Sequence, residues 1–332
     1  MAQFYRARIS GTGSYLPEKL LTNYDLEKMV ETNHDWIVER TGIHHRHIAS
    51  ENQATSDLAF EATQKALQAA NLEPKDIDAI IFATVSPDQV MPNTACVLQH
   101  RLGCRHDIMA LDISAACSGF VYGISIANEF IKTGVYKNIL VIGAEILHRL
   151  VNYKERDTCI LFGDGAGACI LSRAEGDEPS KIYSHHLGAD GSIGDLFVLP
   201  AGGSKVPFSQ KVLDNNLQYV KMKGREIFKN AVRSMTDVCE LALKTNNMTI
   251  DDVHWLIPHQ ANIRILESVA KHFEFPLEKV IINIATMGNT SAATVIVALD
   301  EAIRDGRIQR GQNLLLTAFG AGLTMGSVLL KY

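Results

Sequence analysis

"TQKALQAANLEPKDIDAIIFAT", residues 63–84, has an ungapped counterpart in "CELALKTNNMTIDDVHWLIPHQ", residues 239–260. Each reads as an amphipathic helix ending near an asparagine, then an acidic turn, then an apolar strand. A second pair follows in the same order, "AACSGFVYGISIANEFIKTG" (115–134) against "MGNTSAATVIVALDEAIRDG" (287–306), and each leads to an apolar strand, "NILVIGAE" or "NLLLTAFG". The chain therefore repeats a βαβ-rich block whose buried strands alternate with helices, which predicts mixed or parallel sheets between helical layers. The two halves, 1–174 and 223–332, are expected to pack as pseudo-twofold mates. Residues 175–222, richer in Gly, Pro, Ser and Asn ("EGDEPSK", "LPAGGSKVPFSQK"), read as an inserted excursion between them.

Composition sets the outer bounds. With 332 residues, 46% hydrophobic and 21% charged, the chain has the make-up of a soluble globular protein with a large core. The longest apolar runs, such as "IDAIIFATV" and "NILVIGAEIL", are too short to span a membrane and read as buried strands. A net charge of −5 argues against broad nucleic-acid binding and leaves room for a local basic patch. The six cysteines form no CxxC pair, and no secretory leader is read, so neither disulfides nor structural zinc are expected and a reducing cytoplasm is the expected compartment.

One cysteine stands apart. In "LDISAACSGFVYGISIA" (111–127), Met109, Leu111 and Ile113 alternate as in a strand, whereas Phe120, Ile124, Ala127 and Ile131 recur at helical spacing. Cys117 thus lies at a helix N-terminus, where free N–H groups and the dipole are expected to push a thiol toward thiolate. Cys96, Cys104, Cys159, Cys169 and Cys239 sit in apolar patterns and read as small hydrophobes, the usual fate of a free cysteine.

Two further residues point to the same place. His259, in "LIPHQANIR", directly follows the strand "VHWLI", and Asn289, in "TMGNTSAAT", falls opposite Cys117 in the ungapped repeat. Asn289 taken alone is a good helix N-cap. Ligands in open α/β sheets bind beyond the carboxyl ends of strands, which suggests one pocket for Cys117, His259 and Asn289. Among the 12 histidines, His185 and His186 read as a loop pair, and "HHRH" at 44–47 reads as a solvated turn around Arg46 rather than a metal site.

"LDISAACSGF", "PHQANIR", "GNTSAA", "FGDGAGA" and "FGAGLTMGS", with "GTGSYLPE" and "DWIVERTGI" near the N-terminus, resemble in order the thiolase-fold condensing enzymes, and within them the β-ketoacyl-acyl-carrier-protein synthase III family. The resemblance covers nearly the whole chain. It implies a five-layered αβαβα fold, a homodimer, and an acyltransferase that starts type II fatty-acid synthesis. Cys117 would take an acyl group, acetyl in the first instance, from acyl-coenzyme A. Malonyl-acyl carrier protein would then lose CO2, and neutral His259 and the Asn289 amide would hold the enolate while it attacks the acyl-enzyme.

The same resemblance assigns further positions. The backbone N–H groups of Cys117 and Ala321 would form the oxyanion hole, although Ala321 stands where close relatives often carry glycine. Trp36 and Arg156 would hold the adenine of coenzyme A, Arg40 and Thr41 its phosphates, and Asn262 the pantetheine arm; a helix-end role competes for Arg40 and Thr41. Lys229, Arg264 and Lys271 match the acyl-carrier-protein dock, with Arg225 as an addition. Arg264 and Lys271 also lie two helical turns apart on roughly one face. Met91 matches the residue that reaches across the dimer into the primer pocket, and Phe162 the phenylalanine beside the nucleophile. "FGDGAGA" (162–168) lacks the lysine and the order of a phosphate loop and is expected to serve close backbone packing. The chemistry calls for no metal, flavin or pyridine nucleotide, since coenzyme A and phosphopantetheine enter as parts of substrates. A same-fold acyltransferase or a specialised condensing enzyme of a quinolone or polyketide pathway is the alternative. A true thiolase is disfavoured because "FGAGLTMGS" carries no second cysteine, and a non-enzymatic carrier-binding protein because all three of Cys117, His259 and Asn289 are kept.

Overall fold

The structure, a computed structural model, describes residues 4–332. Two sheets follow one plan. The first runs in the order Ala7–Tyr15, Gly165–Arg173, Asn138–Glu145, Ala79–Ala83, Met109–Ile113, and the second in the order Lys181–Ala189, Thr324–Lys331, Asn313–Gly320, Trp255–Pro258. Ala79–Ala83 pairs parallel with both its neighbours, and Gly165–Arg173 antiparallel with both of its own. The second sheet repeats those directions. Its equivalent of Met109–Ile113 is reduced to a parallel bridge between Val280 and Leu256.

Helices Gly119–Lys132 and Thr294–Arg304 lie between the sheets. Their core draws Ile81, Val141 and Leu171 from the first sheet and Ile257, Leu316 and Val328 from the second. Thr55–Ala70 and Thr94–Leu102 cover the outer face of the first sheet, and Gly224–Thr245 and Ile263–His272 that of the second. The result is five layers, αβαβα. It also explains why the strands read as unbroken apolar runs: Ile81 faces the central core while Ile80 and Phe82 face the outer one, so both sides are buried. Each such side chain contributes roughly 1.5–3 kcal/mol.

The first repeat pair holds residue by residue. Asn71 (φ 53°) and Asn247 (φ 51°) end their helices in the left-handed region, and the turns Pro74–Asp76 and Ile250–Asp252 follow at the same spacing. The second pair matches at its C-terminal end, where Gly134 (φ 81°) and Gly306 (φ 83°) correspond. At the N-terminal end it slips. The first helix has 14 residues and the second 11, and the left-handed residues that enter the two turns are Ala116 (φ 44°) and Ser291 (φ 49°). The structural mate of Cys117 is therefore Ala292, and Asn289 lies three residues earlier. A three-residue deletion is almost one helical turn and leaves the apolar face in place, so an ungapped comparison hides it.

Three local expectations are corrected. The stretch 175–222 is not irregular throughout: Lys181–Ala189 is a strand of the second sheet, and His185 and His186 lie in it rather than in a loop. It is the edge strand of its sheet and mostly half-buried, so polar residues are tolerated in it and mask the strand pattern. "HHRH" is no solvated turn, because His45–Ile48 is a strand and Arg46 is wholly buried. Arg46 donates to Asn23 Oδ1 (2.7 Å), to the Leu21 carbonyl (3.3 Å) and to the Ile160 carbonyl, tying the N-terminal hairpin to the segment before Phe162. Among the described residues no group of His, Cys, Asp or Glu is arranged to hold a metal. "FGDGAGA" does serve close packing: the Asp164 carboxylate accepts from Ala49 N (2.7 Å) and Leu147 N (2.8 Å), and any side chain at Gly167 would collide with Ile296.

Candidate active site

Cys117, His259 and Asn289 sit where the two halves meet. The turns Ala116–Ser118 and Ser291–Ala293 each begin a central helix, and each abuts the sheet of the other half. A Cβ on Gly320 would lie 2.7 Å from Cys117 N and 3.0 Å from Ser118 N, so glycine alone keeps the space beside the Cys117 N–H open. On the other side, a Cβ on Gly143 would run into the Ala292 carbonyl. Cys117, His259 and Asn289, all buried, line one cavity of about 820 Å³ together with Phe319 and Gly320. The structure brings the three residues together although the repeat register that first linked two of them is three residues out.

Burial decides their protonation. It pushes the Cys117 thiol up to about 12, against a hydrogen bond from Ser291 that lowers it and a nearby Glu145 that raises it. The free enzyme therefore holds a neutral thiol, which corrects the expectation of a thiolate set by the helix N-terminus. Burial also raises Cys104, Cys159, Cys169 and Cys239, so acidity at rest does not mark the nucleophile. The same cause holds His259 down at about 3, and it is neutral at physiological pH. Its Nδ1 lies 2.6 Å from Thr294 Oγ1, which in turn lies 2.9 Å from the Ser291 carbonyl. The single Thr294 hydroxyl proton has two acceptors within reach, the Ser291 carbonyl and Nδ1; where it goes to Nδ1, Nε2–H is the donor facing the cavity. Asn289 Oδ1 accepts the Ser291 N–H at 2.8 Å, which leaves the Nδ2 hydrogens to the cavity.

Sequence reasoning missed two members of this cluster. Ser291 links two parts of it: its N–H fixes Asn289 and its carbonyl accepts from Thr294. Glu145 is fully buried, and burial raises it to about 7 despite hydrogen bonds from Ser86, Val85, Ser291 and Thr84. The available signal was a lone acid closing the apolar strand "NILVIGAE".

Outward from Cys117, His259 and Asn289, the same cavity is lined by Trp36, Arg40, Thr41, Arg156 and Asn262. The Arg40 and Arg156 guanidinium carbons lie 4.8 and 4.4 Å from the centre of the Trp36 ring. Thr41 and Asn262 have local duties. The Thr41 hydroxyl donates to the Ile37 carbonyl (2.7 Å) and accepts from Ile43 N (3.0 Å), closing its helix. Asn262 caps the next helix through Arg264 N (2.9 Å) and donates to the Arg40 carbonyl (2.9 Å). Arg225, Lys229 and Arg264 stand on the cavity rim. Lys229, Arg264 and Lys271 are exposed, and among the described residues none of them is in an ion pair.

Behind Cys117 lies a smaller apolar pocket of about 110 Å³, lined by Val85, Leu147, Val151, Phe162, Phe197 and Ala321 among others. Phe162 is buried beside the nucleophile and bridges to Asn289 through the backbone. Phe197 comes from the 175–222 stretch and was not foreseen. Within one chain Met91 does not reach this pocket; it and Val90 are 85% and 92% exposed.

A buried cysteine facing two neutral hydrogen-bond donors at the junction of two pseudo-twofold βαβ halves defines a condensing acyltransferase of the thiolase fold. Known proteins narrow the class. Residues 111–191 match 3-oxoacyl-[acyl-carrier-protein (ACP)] synthase III, and residues 243–332 match the C-terminal part of the same family. The beta-ketoacyl-[acyl-carrier-protein] synthase III of Caldanaerobacter subterraneus subsp. tengcongensis is 51% identical over 332 residues, 100% of this chain and 99% of that protein. Its namesake from Clostridioides difficile is 47% identical over 327 residues, 98% of each. The crystal structure of 3-oxoacyl-[acyl-carrier-protein] synthase III from Aquifex aeolicus VF5 matches with a TM-score of 0.90 and 46% identity, covering 98% of this chain and 100% of that one. The chain belongs to the β-ketoacyl-acyl-carrier-protein synthase III family.

Proposed function

We propose that Cys117 carries the acyl group in the reaction this family performs, the condensation of an acyl-coenzyme A with malonyl-acyl carrier protein that initiates fatty-acid synthesis. The observation that carries the reading is the convergence of Cys117, His259 and Asn289 on one cavity. Cys117 Sγ attacks the thioester carbonyl and releases coenzyme A, with the Cys117 N–H beside Gly320 and the Ala321 N–H holding the oxyanion. Malonyl on its carrier then enters, and loss of CO2 leaves an enolate. His259 Nε2–H and Asn289 Nδ2–H donate to its oxygen while its carbon attacks the acyl group. Two neutral donors suit this charge, because a cationic histidine would be protonated only far below physiological pH in this burial.

The remaining assignments rest on position and on family membership. Trp36 and Arg156 stack on the adenine, with Arg40, Thr41 and Asn262 along the rest of coenzyme A; since Thr41 and Asn262 already cap helices, they shape the passage more than they grip the ligand. Lys229, Arg264 and Lys271 dock the carrier protein. Two chains pair so that the exposed Met91 of each closes the other's acyl pocket beside Phe162, and the small size of that pocket favours acetyl, with slightly longer primers tolerated. The enzyme works in the cytoplasm; among the described residues no helix is long and apolar enough to cross a membrane.

The test is intact-protein mass after acetyl-coenzyme A, in parallel with Cys117→Ser, followed by malonyl-acyl carrier protein. The expected result is an acetyl adduct that needs Cys117 and disappears as acetoacetyl-acyl carrier protein forms. An adduct that persists in Cys117→Ser refutes the nucleophile, and one that malonyl-acyl carrier protein does not discharge refutes the acceptor.

A further inference from the structure

Arg46 is a buried cation to which the mechanism gives no task. Burial lowers it only to about 10, so it is charged at physiological pH. Among the described residues no carboxylate pairs with it, and its Nε finds no partner. The buried carboxylates are settled elsewhere: Asp164 by Ala49, Leu147 and His148, Asp300 by Thr12, Ser14 and Arg304, and Glu145 by Thr84, Val85 and Ser86. An unpaired buried charge is costly, and an apolar side chain of similar volume often fills such a place with greater stability. What the guanidinium achieves is to span three segments, donating to Asn23 Oδ1 at 2.7 Å, to the Leu21 carbonyl at 3.3 Å and to the Ile160 carbonyl.

The third of these segments leads straight to Asn289. The Leu161 carbonyl, one residue past Ile160, accepts the Asn289 N–H at 2.8 Å, and Gly163 N donates to the Asn289 carbonyl at 3.0 Å. Phe162 and Asn289 thus form a parallel bridge that holds the Asn289 backbone on both sides of its Cα. The Arg46 stem fills the notch beside this bridge. A Cβ on Gly163 would lie 2.9 Å from Arg46 Cβ, and one on Gly288 3.1 Å from it, so glycine at both places lets the strand His45–Ile48 come this close. The same stretch is tied to both sides of the notch: the His47 carbonyl accepts from Asp164 N at 2.9 Å, and His44 N donates to the Ala285 carbonyl at 2.8 Å. Since Asn289 Oδ1 is fixed by Ser291 N at 2.8 Å, placing its backbone also sets the direction of its amide.

We propose that Arg46 is the positioning residue for Asn289: its guanidinium and stem hold the 160–163 segment against the turn at 288–291 and so aim the Asn289 amide at the enolate. This rests on the reading of Asn289 as an enolate donor. Asn289 stands outside the helices and strands, between Gly288 (φ 67°) and the turn Ser291–Ala293, and the bridge to Phe162 supplies the frame that its own loop lacks. A donor set in advance for developing charge serves only if its placement is rigid, and an error of about 1 Å slows the chemical step about 100-fold. Cys117 and Gly320 stand on other elements, so formation of the acyl-enzyme does not draw on Arg46.

The experiment is a double-mutant cycle between Arg46→Met and Asn289→Ala, read in two single-turnover rates: acetylation by acetyl-coenzyme A, and discharge of the acetyl-enzyme by malonyl-acyl carrier protein. Methionine keeps the stem between the two glycines and removes the donors. Arg46→Met alone should slow discharge about 100-fold and Asn289→Ala alone about 10²–10³-fold, while acetylation changes little in either. In the Asn289→Ala background, Arg46→Met should slow discharge hardly further, because the amide it places is gone. Arg46→Lys keeps the charge, but its compact ammonium cannot reach all three segments, so its discharge should be about 10-fold slow. An Arg46→Met enzyme that discharges at the unmodified rate overturns the proposal, as does one that slows discharge equally with and without Asn289 or slows acetylation as much as discharge. Should Arg46→Met fail to fold, Arg46→Lys decides in the same cycle, and discharge at the unmodified rate overturns the proposal. An Asn289→Ala enzyme that discharges normally is a different result: it refutes the reading of Asn289 and removes the proposal with it.

Discussion

Thr294→Val isolates the part of the mechanism that depends on which histidine nitrogen carries the proton. Thr294 is fully buried, and valine keeps its branching while removing the hydroxyl that lies 2.6 Å from His259 Nδ1. Nδ1 is then left in an apolar interior without a partner, at a cost of about 1–3 kcal/mol. Taking about 2 kcal/mol as the loss of preference for the Nε2–H form, and about 1.4 kcal/mol per factor of ten, condensation should slow about 30-fold. Acetylation of Cys117 does not use His259 and should change little. The assay is single-turnover discharge of the acetyl-enzyme by malonyl-acyl carrier protein, with Thr294→Ser as the control that restores a hydroxyl. A Thr294→Val enzyme that discharges at the unmodified rate, or a Thr294→Ser enzyme equally impaired, would refute the assignment.

Gly320→Ala places a methyl 2.7 Å from Cys117 N, over the oxyanion position; kcat/KM should fall about 10²–10³-fold, and thermal melting should show a loss of about 1–3 kcal/mol from overpacking. Reversing charge at the carrier dock, Lys229→Glu with Arg264→Glu, should raise KM for malonyl-acyl carrier protein and weaken its salt dependence, while steady-state acetyl exchange with coenzyme A keeps its salt profile. For His259 the folded value of about 3 lies below the unfolded value near 6.5. The unfolded chain then binds an extra proton between those limits, so this contribution to stability is complete above about pH 6.5 and is lost as pH falls. By pH 5 the loss is on the order of 2 kcal/mol. Urea denaturation at pH 7 and 5 should show that His259→Gln loses less stability over this interval than the unmodified protein.

What could be read from the sequence was what packing leaves visible along the chain. Ile80, Ile81 and Phe82 announce a strand buried on both faces, and the asparagine turns at 71 and 247 fix a repeat that the structure keeps residue for residue. The turn at Cys117 was legible for the same reason, a change of period from strand to helix. The structure departs where a feature depends on partners far away in sequence. The protonation of Cys117 follows from burial beneath the other half's sheet, which no local pattern records. Arg46 reads as a surface charge until Asn23 and Ile160 close around it. The strand Lys181–Ala189 hides behind His185 and His186, because an edge tolerates polar side chains. Glu145 lay in plain view at the end of its strand, and its burial among Thr84, Val85 and Ser86 came only with the fold.

The division of the site between two halves ties chemistry to the order of synthesis. Cys117 leaves the ribosome well before His259, Asn289 and the corner at Gly320 and Ala321 that complete its surroundings. Under the proposed roles, until those later residues are made and the second sheet has closed over the first, the thiol has neither oxyanion corner nor enolate donors. On that reading a nascent or truncated chain holds Cys117 but cannot waste malonyl groups with it, and catalytic competence becomes a report that the whole chain has been made and folded.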